Sequence, residues 1–216
     1  MVLQHLNNWV TNKVTDMSGV FHNAHAFNQP LDNWLTNKVI SICNMFRNAY
    51  NFNQPLNNWS TNKVTDMGCM FYGACNFNQP LNNWVTNKVT CMKHMFYDAY
   101  AFNQPLTNWP TDIVNNISYM FYGARTFNQD ISYWNISNAI YKHNIITNTE
   151  LFKKLNGSSC FDKYIMHKLF SYDRRKNFLL FLVESSYIPY KGRCLKNSHH
   201  KVFSREDIYR SIMAYV

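Results

Sequence analysis

Histidine and cysteine are the residues of this chain best suited to catalysis or metal binding, and both are scattered along it. The eight histidines are His5, His22, His25, His94, His143, His167, His199 and His200. No nucleophile elbow, phosphate loop or pair of spaced carboxylates accompanies them. We therefore predict a protein that is not an enzyme, with no catalytic residues and no cofactor.

The nearest approach to a metal-binding motif is the group Cys194, His199 and His200. Its spacing matches no standard zinc pattern and a fourth ligand is missing nearby, so no metal site is predicted. The six cysteines are Cys43, Cys69, Cys75, Cys91, Cys160 and Cys194. Because the N-terminal residues lack the basic start and apolar stretch of a secretory signal, we expect free thiols in a reducing compartment.

The remaining side chains with binding potential are ordered by a repeat of 25 residues. Six tryptophans mark it, at Trp9, Trp34, Trp59, Trp84, Trp109 and Trp134. Two phenylalanines and an alanine recur at the same interval, and no insertion breaks the register between residues 6 and 134. Strict periodicity of this length is typical of solenoids, in which each unit buries its apolar side chains against its neighbours.

The unit at residues 52–75, FNQPLNNWSTNKVTDMGCMFYGAC, serves as the reference. Val and Thr favour a short strand at residues 63–67, and apolar spacings of three and four favour a short helix at 68–74. A longer helix through both segments is the alternative. Pro55 and Pro80 place the rest of the unit in loops. The predicted fold class is an α/β repeat solenoid, a leucine-rich-repeat-like stack of 25-residue coils.

Stacking also explains the polar residues that recur in every unit. Asn53 and Gln54 have equivalents in each FNQ turn, where stacked amides can satisfy backbone groups of the neighbouring turn. Lysines recur at Lys13, Lys38, Lys63 and Lys88. Because stacked like charges repel, we expect these lysines to be exposed to solvent. A basic stripe for an anionic ligand is the alternative interpretation.

Positions that vary within the repeat are free of packing constraints, and a partner would contact them. Several hold Tyr or Arg, which are enriched in the energetically dominant parts of interfaces. The alternative is neutral drift on a tolerant surface. The candidate partner-binding residues are Arg47, Tyr50, Tyr72, His94, Tyr97, Tyr100, Tyr122 and Arg125.

Charge separates the array from the rest of the chain. Residues 1–139 contain 7 Lys and Arg against 6 Asp and Glu, whereas residues 140–216 contain 14 against 6. We predict a boundary between residues 139 and 140, followed by a basic segment of short helices, one beginning near Ser204 with Asp207 at capping-box spacing. That segment is predicted to cap the array or to form a separate, F-box-like interaction module. Nucleic-acid binding is not favoured, because no motif for it is present.

The unit FNQPLNNWxTNKVTDMxxMFxxAxx resembles the BspA-like leucine-rich repeat family, the surface-protein repeat of mycoplasmas, other bacteria, large DNA viruses and protists. The resemblance covers residues 3–139 and implies a leucine-rich-repeat solenoid with a role in adhesion or protein–protein interaction. The last unit departs from the pattern, with Ile113 for Lys, Asp130 for Pro, and Ala139 and Lys142 for Val and Met. The missing export signal favours an intracellular location, the host cytoplasm if the protein is viral.

The sequence thus predicts a monomeric, non-enzymatic protein-interaction solenoid with an unidentified protein partner. No run of about 18 apolar residues is present, so no transmembrane segment is expected. One alternative is a structural or decayed repeat fragment without a specific partner. The other is an adaptor whose C-terminal segment recruits host machinery.

Overall fold

A computed structural model describes residues 6–156 of the chain. Within these residues the helices are a 3-10 helix at Leu6–Asn8 and an α-helix, α1, at Glu150–Asn156. The predicted helix near Ser204, like the rest of the basic segment after residue 156, lies outside the described residues. No helix in the described part has the length and apolar character needed to cross a membrane.

Successive 25-residue units contact each other through parallel bridges of single residues. The bridges pair equivalent positions of adjacent units: Asp16 with Ser41, Ser41 with Asp66, Asp66 with Cys91, Cys91 with Asn116, and Asn116 with Tyr141. Equivalent residues therefore lie side by side, and the side chains of one position form a row across the units. Each position is named below by its residue in the reference unit, as in "position 72".

The segment after each bridge consists of turns rather than the predicted helix. Its backbone N–H groups alternate between two kinds of acceptor: Cys69 donates to the carbonyl of Lys93 in the next unit at 2.8 Å, and Tyr72 donates to Cys69 within its own unit at 3.1 Å. The predicted strand at residues 63–67 is likewise reduced to the single bridge at Asp66. An α-helix would direct every amide to its own unit, so it is incompatible with the donation between units.

Two positions of every unit have left-handed backbone, which is the second reason that no helix forms there. At position 73 the chain uses residues that tolerate this conformation: Asn23, Asn48, Gly73, Asp98, Gly123 and Asn148. At position 69 it uses Gly19, Asn44, Cys69, His94, Tyr119 and Asn144, with φ between 54° and 67°. Cys, His and Tyr rarely adopt such angles, so the backbone is strained at Cys69, His94 and Tyr119.

Rows of large apolar side chains form the core. Trp84 and Trp109 stack with ring centroids 6.2 Å apart, and Phe71 stacks on Phe96 at 5.5 Å and on Phe77 at 3.9 Å. These side chains are almost fully buried, and each contributes about 1.5–3 kcal/mol by leaving water. The indole N–H of Trp84 donates to the carbonyl of Leu56 at 2.9 Å, so the buried ring has its polar atom satisfied.

Buried polar groups are paired between units as well. Thr61 is 2% exposed, and its hydroxyl donates to the carbonyl of Val85 at 3.1 Å while accepting the N–H of Val85 at 2.8 Å. In the FNQ turns, the side-chain oxygen of Asn78 accepts the N–H of Asn103 at 2.9 Å and the amide of Gln104 at 3.0 Å. The predicted amide ladder is therefore present, and the backbone carbonyls of Asn78 and Asn103 also accept from the glutamine amides of the next unit.

The predicted exposure of the repeated lysines is confirmed. Lys13, Lys38, Lys63 and Lys88 all lie in the exposed class. Contacts between units also continue beyond residue 140, because Phe121 donates to the carbonyl of Ile145 and Leu151 donates to that of Phe127. Thr149 caps α1, its hydroxyl accepting the N–H of Phe152 at 3.0 Å. The boundary between residues 139 and 140 stays a prediction.

Candidate partner-binding face

The candidate residues lie on the turns that follow each bridge, where the chain alternates between core and surface. In the reference unit Met70, Phe71 and Ala74 are buried, whereas Tyr72 and Cys75 are only half-buried. Left-handed backbone at positions 69 and 73 accompanies this alternation. The side chains of positions 72 and 75 form two rows outside the core, and those of position 69 form a third, in which Cys69 is buried whereas His94 and Tyr119 are half-buried.

Position 72 carries a continuous stack, which we call the tyrosine row: Arg47, Tyr72, Tyr97 and Tyr122. The rings of Tyr72 and Tyr97 lie 4.6 Å apart at 1°, and those of Tyr97 and Tyr122 lie 4.9 Å apart at 14°. The guanidinium of Arg47 covers the outer face of Tyr72, 4.6 Å from its centroid. Each interior ring is covered on its faces, so the row presents ring edges and hydroxyls to solvent.

Position 69 carries a second aromatic group beside the tyrosine row. The ring of His94 stacks on that of Tyr119 at 5.0 Å and lies 5.6 Å from Tyr97. Tyr119 in turn meets His143 edge to face at 4.8 Å. We call His94, Tyr119 and His143 the histidine cluster. Tyr119 was not among the eight candidate residues. Its positive φ of 55° could not be predicted from its residue type.

The other candidates form two separate pairs at position 75. Tyr50 stacks on His25 at 4.4 Å, and the guanidinium of Arg125 lies 4.3 Å from the centroid of Tyr100. Cys75 occupies the unit between these pairs. Five of the eight candidates, Arg47, Tyr72, His94, Tyr97 and Tyr122, are thus joined by ring and cation contacts. Within the described residues no ring contact links the position-75 pairs to the tyrosine row.

Cations dominate the electrostatics around the histidine cluster. Burial lowers the pKa of His94, and the positive charges of Lys93, Arg47 and His143 lower it further. The side chain of Arg47 donates to the amide oxygen of Asn44 at 3.3 Å, while its buried Nε has no hydrogen-bond partner. The imidazole of His94 is therefore disposed to be neutral near pH 7, in a positive local field.

An acidic residue also lies beneath this face. The carboxylate of Asp98 is close to Gly123, so a Cβ added at Gly123 would lie 2.0 Å from its Oδ1. Burial raises the pKa of Asp98, and the neighbouring charge of Arg125 lowers it in part. Asp98 and Arg125 are therefore electrostatic partners, and the charge of Asp98 also contributes to a raised pKa of Tyr97, for which burial is the largest cause.

The thiols of the described residues are free and poorly suited to nucleophilic chemistry. Burial, with a smaller contribution from the charge of Asp66, raises the pKa of Cys43 to about 11. Burial is also the main cause of the raised pKa of Cys69, Cys75 and Cys91. Thiols are reactive as thiolates, so these groups are protonated and weakly reactive at neutral pH.

No group of three or more His, Cys, Asp or Glu side chains among residues 6–156 is arranged to hold a metal ion. The sequence group Cys194, His199 and His200, together with Cys160, lies outside the described residues.

Comparison with known proteins finds one family. The model of the family described as "Mycoplasma protein of unknown function, DUF285" matches residues 1–100 and, in a second overlapping match, residues 61–159. Together the matches span residues 1–159, well over half of the chain, and they include all eight candidate residues. No curated protein and no solved structure matches significantly.

Proposed function

This chain belongs to the DUF285 family, a repeat family of unknown function, and from that premise we propose that it is a non-catalytic protein-interaction protein. The observation that carries the proposal is the tyrosine row. Tyr72, Tyr97 and Tyr122 occupy equivalent positions of three units, yet all three remain partly exposed. Aromatic side chains held rigidly at a surface favour binding, because little conformational entropy is lost when a partner covers them.

The proposal includes the architecture of the array. We place it with the BspA-like leucine-rich repeats, as a solenoid of 25-residue coils whose ordered surface displays the tyrosine row. The parallel bridges between equivalent residues and the aromatic and amide rows support this assignment. In such an array each unit depends on its neighbours, and the binding surface grows with the number of units.

Affinity purification of the full chain, with quantitative mass spectrometry, tests the binding role. The test variant combines Tyr72→Ala, Tyr97→Ala and Tyr122→Ala. The control combines Asn37→Ala, Asn62→Ala and Asn87→Ala, three exposed positions away from the row. We expect the control to retain a specific partner and the tyrosine variant to lose it. Retention of the same partner by the tyrosine variant would contradict the proposal.

A deletion experiment tests the architecture separately. Removing residues 51–75 takes out one whole unit and leaves the remaining units in register, so we expect a folded chain with a cooperative denaturant transition. Removing residues 51–62 leaves half a unit and breaks the bonds between units on either side of it, so we expect it to abolish the single cooperative transition. A folded half-unit deletion, or an unfolded whole-unit deletion, would argue against a stack of equivalent units.

A further inference from the structure

The tyrosine row and histidine cluster combine aromatic edges with cations that have no acidic partner. Among residues 6–156, neither Arg47 nor Lys93 forms a salt bridge, and the side chain of Lys93 is exposed. Two carboxylates lie in the same region: Asp66 accepts the N–H of Gly68 at 2.7 Å, and Asp98 interacts with Arg125 and with Tyr97. Neither carboxylate is within salt-bridge distance of Arg47 or Lys93, so both cations can still pair with a carboxylate of a partner.

The tyrosine hydroxyls are available as hydrogen-bond donors on the same face. Those of Tyr72, Tyr97 and Tyr122 make no hydrogen bond within the part of the chain that the structure describes. Their rings are stacked with centroids 4.6 and 4.9 Å apart, so the three side chains lie together on this face. Phenol hydroxyls and a guanidinium group are both good donors to carboxylate oxygens.

The stacking also distinguishes between classes of anionic partner. Single-stranded nucleic acids bind aromatic surfaces by stacking bases on free ring faces. Here Arg47 covers one end of the row, and each ring of the row covers the face of the next, so the outer face of Tyr122 is the one ring face that the row leaves uncovered. Ring edges and hydroxyls lie along the whole row, and these suit hydrogen bonding to carboxylates better than base stacking.

We infer that the partner segment bound by this face is an acidic peptide, whose carboxylates contact Arg47, Lys93 and the hydroxyls of Tyr72, Tyr97 and Tyr122. This inference rests on the proposed function and specifies the chemistry of its partner. Arg47 is held in place by Tyr72 and Asn44, so its charge is pre-positioned for a carboxylate. The exposed side chain of Lys93 supplies a second charge beside His94.

Fluorescence anisotropy with the full chain at low ionic strength tests the inference. The probe is a fluorescein-labelled peptide in which Glu and Ser alternate; the comparison probes are the matching Gln and Ser peptide and a short strand of thymidine nucleotides. We expect the Glu peptide to bind about tenfold or more tightly than the Gln peptide, as the loss of one charge-assisted contact would give. Equal binding of both peptides, or preferential thymidine binding that depends on Arg47 and Lys93, would overturn the inference.

A matched pair of variants locates the contact. The test variant combines Arg47→Gln and Lys93→Gln, and the control combines Lys63→Gln and Lys88→Gln, which removes the same net charge from the exposed lysine row. We expect the test variant to weaken Glu-peptide binding about tenfold and the control by less than about twofold. Equal losses would place binding elsewhere, for example on the basic segment. If the loss of Arg47 impairs folding, the single variant Lys93→Gln is used to test the same contact.

The two proposals fail in different ways. If the Tyr72, Tyr97 and Tyr122 variant loses its captured partner while Arg47→Gln with Lys93→Gln binds the Glu peptide like wild type, only the acidic-peptide inference is wrong. If the tyrosine variant keeps its partner, the proposed binding surface is wrong.

Discussion

Substitution of Gly123 by Ala tests the inter-unit packing at position 73. Gly123 has φ of +71°, and a Cβ there would lie 2.0 Å from the Oδ1 of Asp98 and 3.2 Å from its Cγ. Alanine therefore meets two penalties, the left-handed backbone and the carboxylate of the preceding unit. The first costs about 1–2 kcal/mol. Turning the half-buried Asp98 carboxylate aside adds about 0.5–1.5 kcal/mol if its rotamer is strained, so we expect a loss of about 1.5–3.5 kcal/mol in the free energy of unfolding.

Two other glycines provide graded controls. Gly19 has a similar φ of +67°, but its nearest neighbour would be the Cβ of His22 at 3.9 Å, so Gly19→Ala measures the backbone penalty alone. Gly73 is intermediate, because its added Cβ would lie 2.6 Å from the Oδ1 of Asn48. Urea denaturation followed by tryptophan fluorescence should rank the losses as Gly123 greatest, Gly73 next and Gly19 least.

A double-mutant cycle separates the clash with Asp98 from the effect of the different units in which Gly19 and Gly123 lie. In an Asp98→Gly background the obstructing carboxylate is gone, and we expect Gly123→Ala to cost only the backbone penalty. If Gly123→Ala lowers the free energy of unfolding no more than Gly19→Ala does, the clash with Asp98 does not exist. The same conclusion follows if Gly123→Ala causes an equal loss of stability in the wild-type and Asp98→Gly backgrounds.

Three further predictions follow from the amide row, from Asp98 and from the thiols. Asn78→Ala removes the acceptor of two donors and should lower the free energy of unfolding by about 1–3 kcal/mol. Asn128→Ala should change it little in the same urea measurement, because the Asn128 side chain accepts no hydrogen bond within residues 6–156; equal losses would show that the amide row does not stabilise the fold. Asp98→Asn should stabilise the chain at pH 7, since burial raises the pKa of Asp98 above its ordinary 3.8 and thereby penalises the ionised folded state. Folding favours the protonated acid, so wild type regains this stability as pH falls, and thermal melts should show the advantage of the variant fading toward acid pH. A variant advantage that persists at acid pH would contradict this cause, and Asp32→Asn, on an exposed carboxyl far along the unit, is the control. Alkylation of Cys43 by iodoacetamide, followed by peptide mass spectrometry, should be far slower at pH 7.5 than for free cysteine and should accelerate steeply towards its pKa of about 11; a rate at pH 7.5 equal to that of free cysteine would show that the thiol is not protonated as described.

The rows of the core and the amide row followed from the sequence because they depend on composition and period alone. Identical residues at intervals of 25 must either stack or share the same exposure. Polarity and charge then decide where each row lies: Trp84 in the core, Asn78 in the amide row and Lys63 in solvent. Once equivalent positions are adjacent, contact between Tyr72, Tyr97 and Tyr122 also follows. Most of the candidate face was therefore predictable as soon as the period was recognised.

The backbone of positions 68–74 was not predictable in the same way. Apolar spacings of three and four favour a helix, but they also arise when turns alternate between core and surface. Asn and Gly at position 73 indicate left-handed backbone. Cys69, His94 and Tyr119 at position 69 give no such indication, because these residue types rarely adopt it. Tyr119 lies at one of the varying positions but was not chosen as a candidate residue; its position holds Gly, Asn, Cys and His in other units, a set with no shared chemistry.

The donation of every second amide to the next unit has a consequence for how genes of this kind can change. A single-codon insertion in the turn displaces the donors of position 69 from their acceptors, whereas the gain or loss of a complete unit leaves each donor opposite an equivalent carbonyl. Recombination between repeated coding segments produces changes of the second kind. Each added copy of a unit with Tyr at position 72 would lengthen the tyrosine row by one ring, so unequal exchange between such repeats could alter the reach of the binding face without disturbing its chemistry.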